Sequence, residues 1–421
     1  MQTNLADFIK DTPQGREAEA ILRSCVHCGF CTATCPTYQL LGDELDGPRG
    51  RIYLMKQVLE GQAVSRRTQL HLDRCLTCRS CETTCPSGVQ YGRLLDIGRE
   101  VVEARVDRPA ADRLLRALLR AVVPHRRRFG LLLGLARALR PALPGALRRL
   151  VPRALPPGDW PAPRHGRRVL LLEGCVQPGL APRINAATAR VLDRLGLSVV
   201  RTPTAGCCGA VSHHLAAAEE ARAFMRRNID AWWPHVEAGV EAIVVNASGC
   251  GVVVKDYGHL LADDPAYAER AARVAALAVD VGEVLAREGV GPLRVPGGRS
   301  TRVAFHASCT LQHGQRLPGL VERILADAGL ELTPVPDAHL CCGSAGTYSI
   351  LQASLSDRLR ANKLEALQSG RPAVIATANI GCLHHLQATA AVPVVHWIEL
   401  LDPAPPDGRE FRPSSRSDNP Q

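Results

Sequence analysis

The sequence predicts an α+β chain of several domains, with a mainly helical N-terminal part followed by two α/β repeats, each built on a parallel sheet. Three observations carry this. The 421 residues suit two or three domains at about 150 residues each. The 16 cysteines fall into two separate duplications. From Arg168 onward, apolar runs of strand length alternate with helical stretches, and the alternation occurs twice, which implies right-handed βαβ units.

The elements follow in order. Residues from about 15 to 105 read as helices joined by short loops that carry cysteines, so 1–106 is expected to be one helical domain. Residues 107–166 are rich in Arg, Pro, Leu and Ala and read as a connector with one or two short helices. A first α/β domain is expected over 167–295. Its strands are "RVLLLEG", "LSVVRTP" and "EAIVVNASG", separated by helices over Pro182 to Leu195 and Leu215 to about Ala238. A second is expected over 296–405, with strands "RVAFHAS", "LELTPVP" and "AVIATANIG" and helices around Leu317 to Ala328 and Leu355 to Gln368. Each repeat thus reads as βαβαβ. Residues 406–421 are expected to be a disordered tail.

The first duplication sets the chemistry of the helical part. Cys25, Cys28, Cys31 and Cys35 stand in "CVHCGFCTATCP", and Cys75, Cys78, Cys81 and Cys85 stand in "CLTCRSCETTCP", 50 residues further on. C-x2-C-x2-C-x3-C-P is the spacing that wraps a cubane [4Fe–4S] cluster, and in two-cluster ferredoxins the fourth cysteine ligates the other cluster. One cluster is therefore expected on Cys25, Cys28, Cys31 and Cys85, and the other on Cys75, Cys78, Cys81 and Cys35. Structural zinc prefers two separated cysteine pairs, so a zinc-containing interaction protein is the weaker reading. His27, inside the first motif, is expected on the solvent side. No C-x-x-C-H is present, so covalent haem is not indicated.

The second duplication lies in the α/β repeats. Cys175, Cys207, Cys208 and Cys250 are echoed by Cys309, Cys341, Cys342 and Cys382, shifted by 134 residues for the first three and 132 for the last. Each cysteine follows a strand, which gathers four of them at the carboxyl edge of each sheet, where such folds place ligands. The glycine after each Cys-Cys pair permits a tight turn, and the helix beyond offers its amino end to a thiolate. Three readings stay open for these sites. They hold a cluster or metal, they form a thiolate site shared with a partner, or they are a docking platform that keeps its cysteines.

The charge is uneven. The net value is +10, yet 11 Arg and no Asp or Glu lie between Arg113 and Arg153, and the remaining 40 Lys and Arg meet 41 acids (40 − 41 = −1). Leu and Arg alternate in this connector at roughly helical spacing, which suits either an anionic membrane surface or a packed, solvated linker. Aromatics are few and do not interleave with the cations, which argues against nucleic acid. With no signal-like start and no apolar run of about 18 residues, a cytoplasmic location is expected, peripheral on the inner face of the cytoplasmic membrane if the connector meets lipid.

The stretches "CVHCGFCTATCPTYQLLGDELDGPRGRIYLMKQVLEG", "HLDRCLTCRSCETTCPSGV", "LEGCVQPGLAPRINAATARVLDRLG", "TLQHGQ" and "HLCCGSAGTY" resemble the iron–sulfur subunits of glycolate oxidase (glycolate dehydrogenase) from about Leu22 to Leu401. The resemblance implies a ferredoxin-type domain and two cysteine-rich CCG domains. It implies a carrier of electrons beside FAD-binding subunits that oxidise a 2-hydroxy acid, with a quinone or another acceptor downstream. No nucleotide-binding glycine motif stands on a strand–helix turn here, so FAD and the catalytic residues are expected in the partner and none in this chain. Related subunits of lactate and glycerol-3-phosphate dehydrogenases, and heterodisulfide reductase acting directly on a substrate, are the alternatives. In the last of these the motif ends C-x-x-C, with five cysteines. Here the fifth position is Val253 in one copy and His385 in the other, leaving His385 and His306 as substitute ligands to be tested.

Overall fold

The computed structural model describes residues 1–145, 148, 151–293 and 301–403; the tail expected to be disordered, 406–421, lies outside the described residues. The N-terminal part is helical: α1 (Pro13–Ser24), α2 (Pro36–Leu41), α3 (Pro48–Leu59), α4 (Arg66–Asp73), α5 (Ser80–Thr84) and α6 (Tyr91–Glu103). Proline opens α1, α2 and α3 at its first turn, where the missing N–H costs nothing. Pro36 thereby turns the chain away from Cys35 into a new helix. The amphipathic faces of α1, α3 and α6 meet in a core where Leu22, Met55, Leu59, Leu94 and Leu95 are fully buried.

Among its described residues the connector carries the helices α7 (Ala110–Val122) and α8 (Arg126–Leu139), bounded by Pro124 and Pro141. Neither buries a residue completely, and Leu114 and Leu131 are 62% and 76% exposed.

Each α/β repeat is a four-stranded, all-parallel sheet. The first comprises β1 (Arg168–Leu171), β2 (Ser198–Val200), β3 (Ala242–Val245) and β4 (Ala278–Asp280), in the order β2-β1-β3-β4. The second comprises β5 (Arg302–His306), β6 (Glu331–Leu332), β7 (Val374–Thr377) and β8 (Val394–His396), in the order β6-β5-β7-β8. The sequence predicts three strands per repeat; the structure adds β4 and β8, each of three residues and each leading directly into the next helix. The central strands are buried on both faces, as in any parallel sheet covered by helices. Register runs Leu170↔Ile243 and Val244↔Val279 in the first sheet, and Ala304↔Ile375 and Ala376↔Val395 in the second.

One continuous core joins the two repeats: Val169 and Leu171 of β1 share it with Val303 and Phe305 of β5. Polar contacts lock the seam. Ser248 Oγ and Ser308 Oγ are 2.8 Å apart, and the Ser248 N–H donates to Ala378 O at 3.0 Å. His396 Nε2 lies 2.8 Å from the carbonyl oxygen of Asn246, while its Nδ1 accepts from the Ile398 N–H at 3.3 Å. That pattern requires the neutral ring with its proton on Nε2. Burial lowers the His396 pKa to about 4, from an ordinary 6.5. Because the folded value is depressed, this group contributes its full stability above about pH 6.5 and loses it as the pH falls towards 4. The stability of His396→Gln is therefore expected to fall less steeply than wild type between pH 6.5 and 4 in denaturant titrations; equal slopes would remove His396 as an acid-sensitive contact.

Candidate functional site

The two ferredoxin-type motifs wall two small cavities. Cys25, Cys28, Cys31 and Cys85 line one; Cys35, Cys75, Cys78 and Cys81 line the other. The fourth cysteine of each motif thus stands in the cavity built by the other. Left-handed residues make the wrapping turns: Gly29 at φ 87°, with His27 at 56° and Arg79 at 58°. Pro48, Cys81 and Tyr91 border both cavities, which sets them side by side.

The donor set fits two cubane clusters. Four thiols line each hollow, and all sixteen cysteines are free of disulfides. Burial pushes the Cys31 thiol up to about 11, and the neighbouring Cys25, Cys35 and Cys85 add to it, so a bound cation would favour the thiolate there. Polar groups wait at the sulfurs: the Tyr91 hydroxyl donates to Cys75 Sγ at 3.6 Å, and Thr37 Oγ1 lies 3.4 Å from Cys35 Sγ. The buried Arg51 stands beside the second hollow. Burial pulls its pKa down, but Cys75, Tyr91, Cys35 and Asp46 raise it above the ordinary value overall. His27, expected on the solvent side, is half-buried and lines the first cavity.

The repeats carry a second kind of site. Cys175, Cys207, Cys208 and Cys250 meet in a chain of thiol contacts, Cys175 to Cys207, Cys207 to Cys208 and Cys208 to Cys250. Cys207 is held below its ordinary pKa because it accepts from the Cys175 and Cys208 thiols and from the Gly209 N–H, with Arg227 nearby. In the second repeat, Cys309 Sγ lies 3.7 Å from Cys341 Sγ, and Cys342 contacts Cys341 and Cys382. The turns are kept by Gly209 and Gly343, at φ 95° and 89°, and a Cβ on Gly343 would sit 2.7 Å from the Ser356 carbonyl oxygen. Their backbone N–H groups point at Cys207 Sγ and Cys341 Sγ, each 3.4 Å away. Cys250 and Cys382 sit in the first turns of the helices Ser248–Lys255 and Ile380–Gln387, near the positive helix ends.

All four cysteines of the first repeat, with Cys309, Cys341 and Cys382 of the second, open onto one largely apolar cavity of about 310 Å³. The N-terminal domain contributes Leu76, Thr77 and Arg79 to its wall.

A 4Fe-4S dicluster domain model matches residues 21–89, and a Cysteine-rich domain model matches 169–255 and 303–387. The Glycolate oxidase iron-sulfur subunit of Escherichia coli (strain K12) is 56% identical over 96% of this chain and 99% of its own length. The chain belongs to this family. A Bacillus subtilis (strain 168) relative, named Probable glycolate oxidase iron-sulfur subunit, is 32% identical over 92% of this chain and 94% of its own. Lactate utilization protein A of Geobacillus thermodenitrificans is 29% identical over 56% of this chain, covering 98% of its own length.

In this glycolate oxidase iron–sulfur subunit family member, the domains meet through groups that spacing could not single out. Arg79 Nη2 pairs with Asp256 at 3.1 Å, and His213 Nε2 with Asp96 at 3.2 Å. Thr83 Oγ1 lies 2.8 Å from His313 Nδ1. Each joins a residue near the second ferredoxin motif to one of the repeats. Sequence reading also missed the buried Lys363, whose Nζ donates to Asp337 O at 2.8 Å and stands beside Cys341, Cys342 and Cys309. Its helical neighbourhood offers no signal; only the fold brings a buried cation to the thiols. His385, weighed as a substitute ligand, has its ring engaged elsewhere, with Ser356 Oγ 3.2 Å from Nε2 and a second hydrogen bond to the Cys342 backbone. It positions the Cys-Cys turn rather than facing the thiols.

Proposed function

We propose that this chain is the electron-transfer subunit of a flavin-dependent complex that oxidises glycolate to glyoxylate, with FAD and the substrate-reacting groups in partner subunits. The observation that supports it best is the pair of adjoining four-cysteine cavities with exchanged fourth ligands. Two [4Fe–4S] clusters bound there would supply one-electron storage and transfer. The protein's own part is to hold eight thiolates, to exclude water with Pro48, Ile52 and Tyr91, and to balance the anionic sulfurs with Arg51. The names of the relatives, at 56% and 32% identity, support glycolate as the substrate of the complex.

The acceptor is a quinone or another acceptor. A peripheral contact with the cytoplasmic membrane is part of the proposal, resting on the connector. There exposed Leu114, Leu118, Leu131, Leu132, Leu135 and Leu139 stand among the arginines of α7 and α8. Among the described residues no helix is long and apolar enough to cross a membrane.

Anaerobic purification from the native host tests both parts. The expected preparation is brown, carries about eight iron and eight sulfide per chain from the ferredoxin part, co-purifies with flavoprotein chains and leaves the membrane pellet on raising salt. A colourless preparation with zinc and no acid-labile sulfide would overturn the reading, and recovery wholly in the soluble fraction at low salt would remove the membrane contact.

A further inference from the structure

We propose that the second repeat, and not the first, holds a thiophilic metal centre on His306, Cys342 and Cys382. The ligand atoms of these three residues all lie within 4.8 Å of one another, and all three residues are buried. Two sulfurs on one ion at about 2.3 Å each can be no more than roughly 4.6 Å apart, so metal entry asks for little movement.

His306 is built as a ligand. It is 2% exposed, at the carboxyl end of β5, and its buried Nε2 has no hydrogen-bond partner among the described residues. A buried ring nitrogen without a partner is costly unless something is meant to bind it. Its Nδ1 lies 2.8 Å from Thr377 Oγ1, on the strand directly paired with it, where His306 and Thr377 are register partners. An Nδ1–H donated to that hydroxyl leaves the lone pair on Nε2, the tautomer a metal ligand requires, with the ring orientation held by its neighbour. Cys341 and Cys309 continue the sulfur chain from Cys342 and can complete the coordination. The buried Lys363 beside them offsets thiolate charge.

The first repeat lacks this pair. Applying the cysteine shifts of 134 and 132 residues, His306 corresponds to Leu172 and Thr377 to Val245, both apolar and buried. The ligand and its orienting hydroxyl are thus replaced together, while all four cysteines remain. The centre also has a neighbour that the first repeat's cysteines do not. Cys78, of the second ferredoxin cavity, packs with Cys309 and Cys341 in one buried cluster with Leu76 and Tyr348. A metal in the second repeat would therefore adjoin that cavity. The donor set suits iron, alone or in a cluster, or zinc.

The test counts iron, zinc and acid-labile sulfide in the anaerobically purified full chain. His306→Ala and Cys342→Ser are expected to lose about one or more metal ions per chain relative to wild type, whereas Cys208→Ser in the first repeat loses none and His306→Cys restores the count. Matching loss of sulfide identifies iron–sulfur; loss of zinc without sulfide identifies a lone ion. Thr377→Val should keep the ligands but weaken retention against a chelator about 10–100-fold, which a role confined to packing would not do. The readout is a difference between wild type and variant, so it stands whether or not the ferredoxin cavities fill. Should His306→Ala fail to fold, His306→Gln, which keeps a polar group near Thr377, takes its place. Equal metal in wild type and both His306 variants, or equal losses in Cys342→Ser and Cys208→Ser, would overturn the proposal.

Discussion

Cys85→Ala protein is expected to lose about half the iron of the ferredoxin part, about four of eight atoms, and adding Cys28→Ala is expected to remove nothing further. Both residues line the same cavity. Adding Cys78→Ala instead should remove the remaining four, since Cys78 lines the other cavity with Cys35, Cys75 and Cys81. The converse holds for Cys35→Ala, which should be silent on top of Cys78→Ala and additive with Cys28→Ala. If each motif filled its own cluster, these pairings would invert: Cys85 would group with Cys78, and Cys35 with Cys28. Anaerobic iron and sulfide counts on the single and double variants decide between the two.

Asp46→Ala is expected to destabilise the N-terminal domain by about 3–5 kcal/mol, the cost of leaving a buried charge without its partner. Asp46 and Arg51 are each about 1% exposed, with Arg51 Nη2 3.4 Å from Asp46 Oδ1. Asp46 also accepts from Arg74 Nη1 at 2.8 Å and lies 3.0 Å from His71 Nδ1. Arg51 in turn donates to His71 O at 2.7 Å and to Thr37 Oγ1 at 3.2 Å. Removing the carboxylate leaves the buried guanidinium hydrogen-bonded to neutral oxygens, and two further groups lose their anion. The pair is not simply worth its Coulomb energy. Replacing the whole set with apolar residues of similar volume would cost far less, because the desolvation penalty would vanish with the charges. Since Arg51 borders the cavity of Cys35 and Cys75, cluster retention in the second cavity should fall together with the unfolding midpoint. A loss below about 1 kcal/mol in denaturant unfolding would mean that water reaches Arg51 and solvates it once the carboxylate is gone.

Much of the architecture was legible in the chain. Cysteines at three-residue spacing must converge, because a turn of that length cannot carry them apart, and the repeat at 50 residues announces a second copy of the same device. Buried parallel strands read as continuous apolar runs, so β1, β3, β5 and β7 were visible. β4 and β8 were not. Each is three residues long and runs straight into a helix, so neither period has room to appear. The histidines divide in the same way. His385 looked like a substitute ligand because it occupies the motif's missing position, yet its ring is engaged with Ser356 and the Cys342 backbone. His306 carried only a proximity to Cys309, and its Nε2, without a hydrogen-bond partner among the described residues, becomes apparent once β5 and β7 are paired.

By itself, then, the sequence determined which residues belong to which cysteine set and that each set was made twice. Spacing along a chain is enough for that, because thiols three residues apart, or at the ends of adjacent strands, are brought together by local geometry alone. The tertiary structure decided everything that depends on two distant segments meeting. It set the fourth cysteine of each ferredoxin motif in the other's cavity, and it docked the N-terminal domain against both repeats through Arg79–Asp256 and Thr83–His313. It placed Cys78 beside Cys309 and Cys341, so that two copies with matching cysteines acquired different neighbours. Such contacts are fixed by the packing of whole domains, and the docking energy is spread over many residues whose individual spacing carries no period.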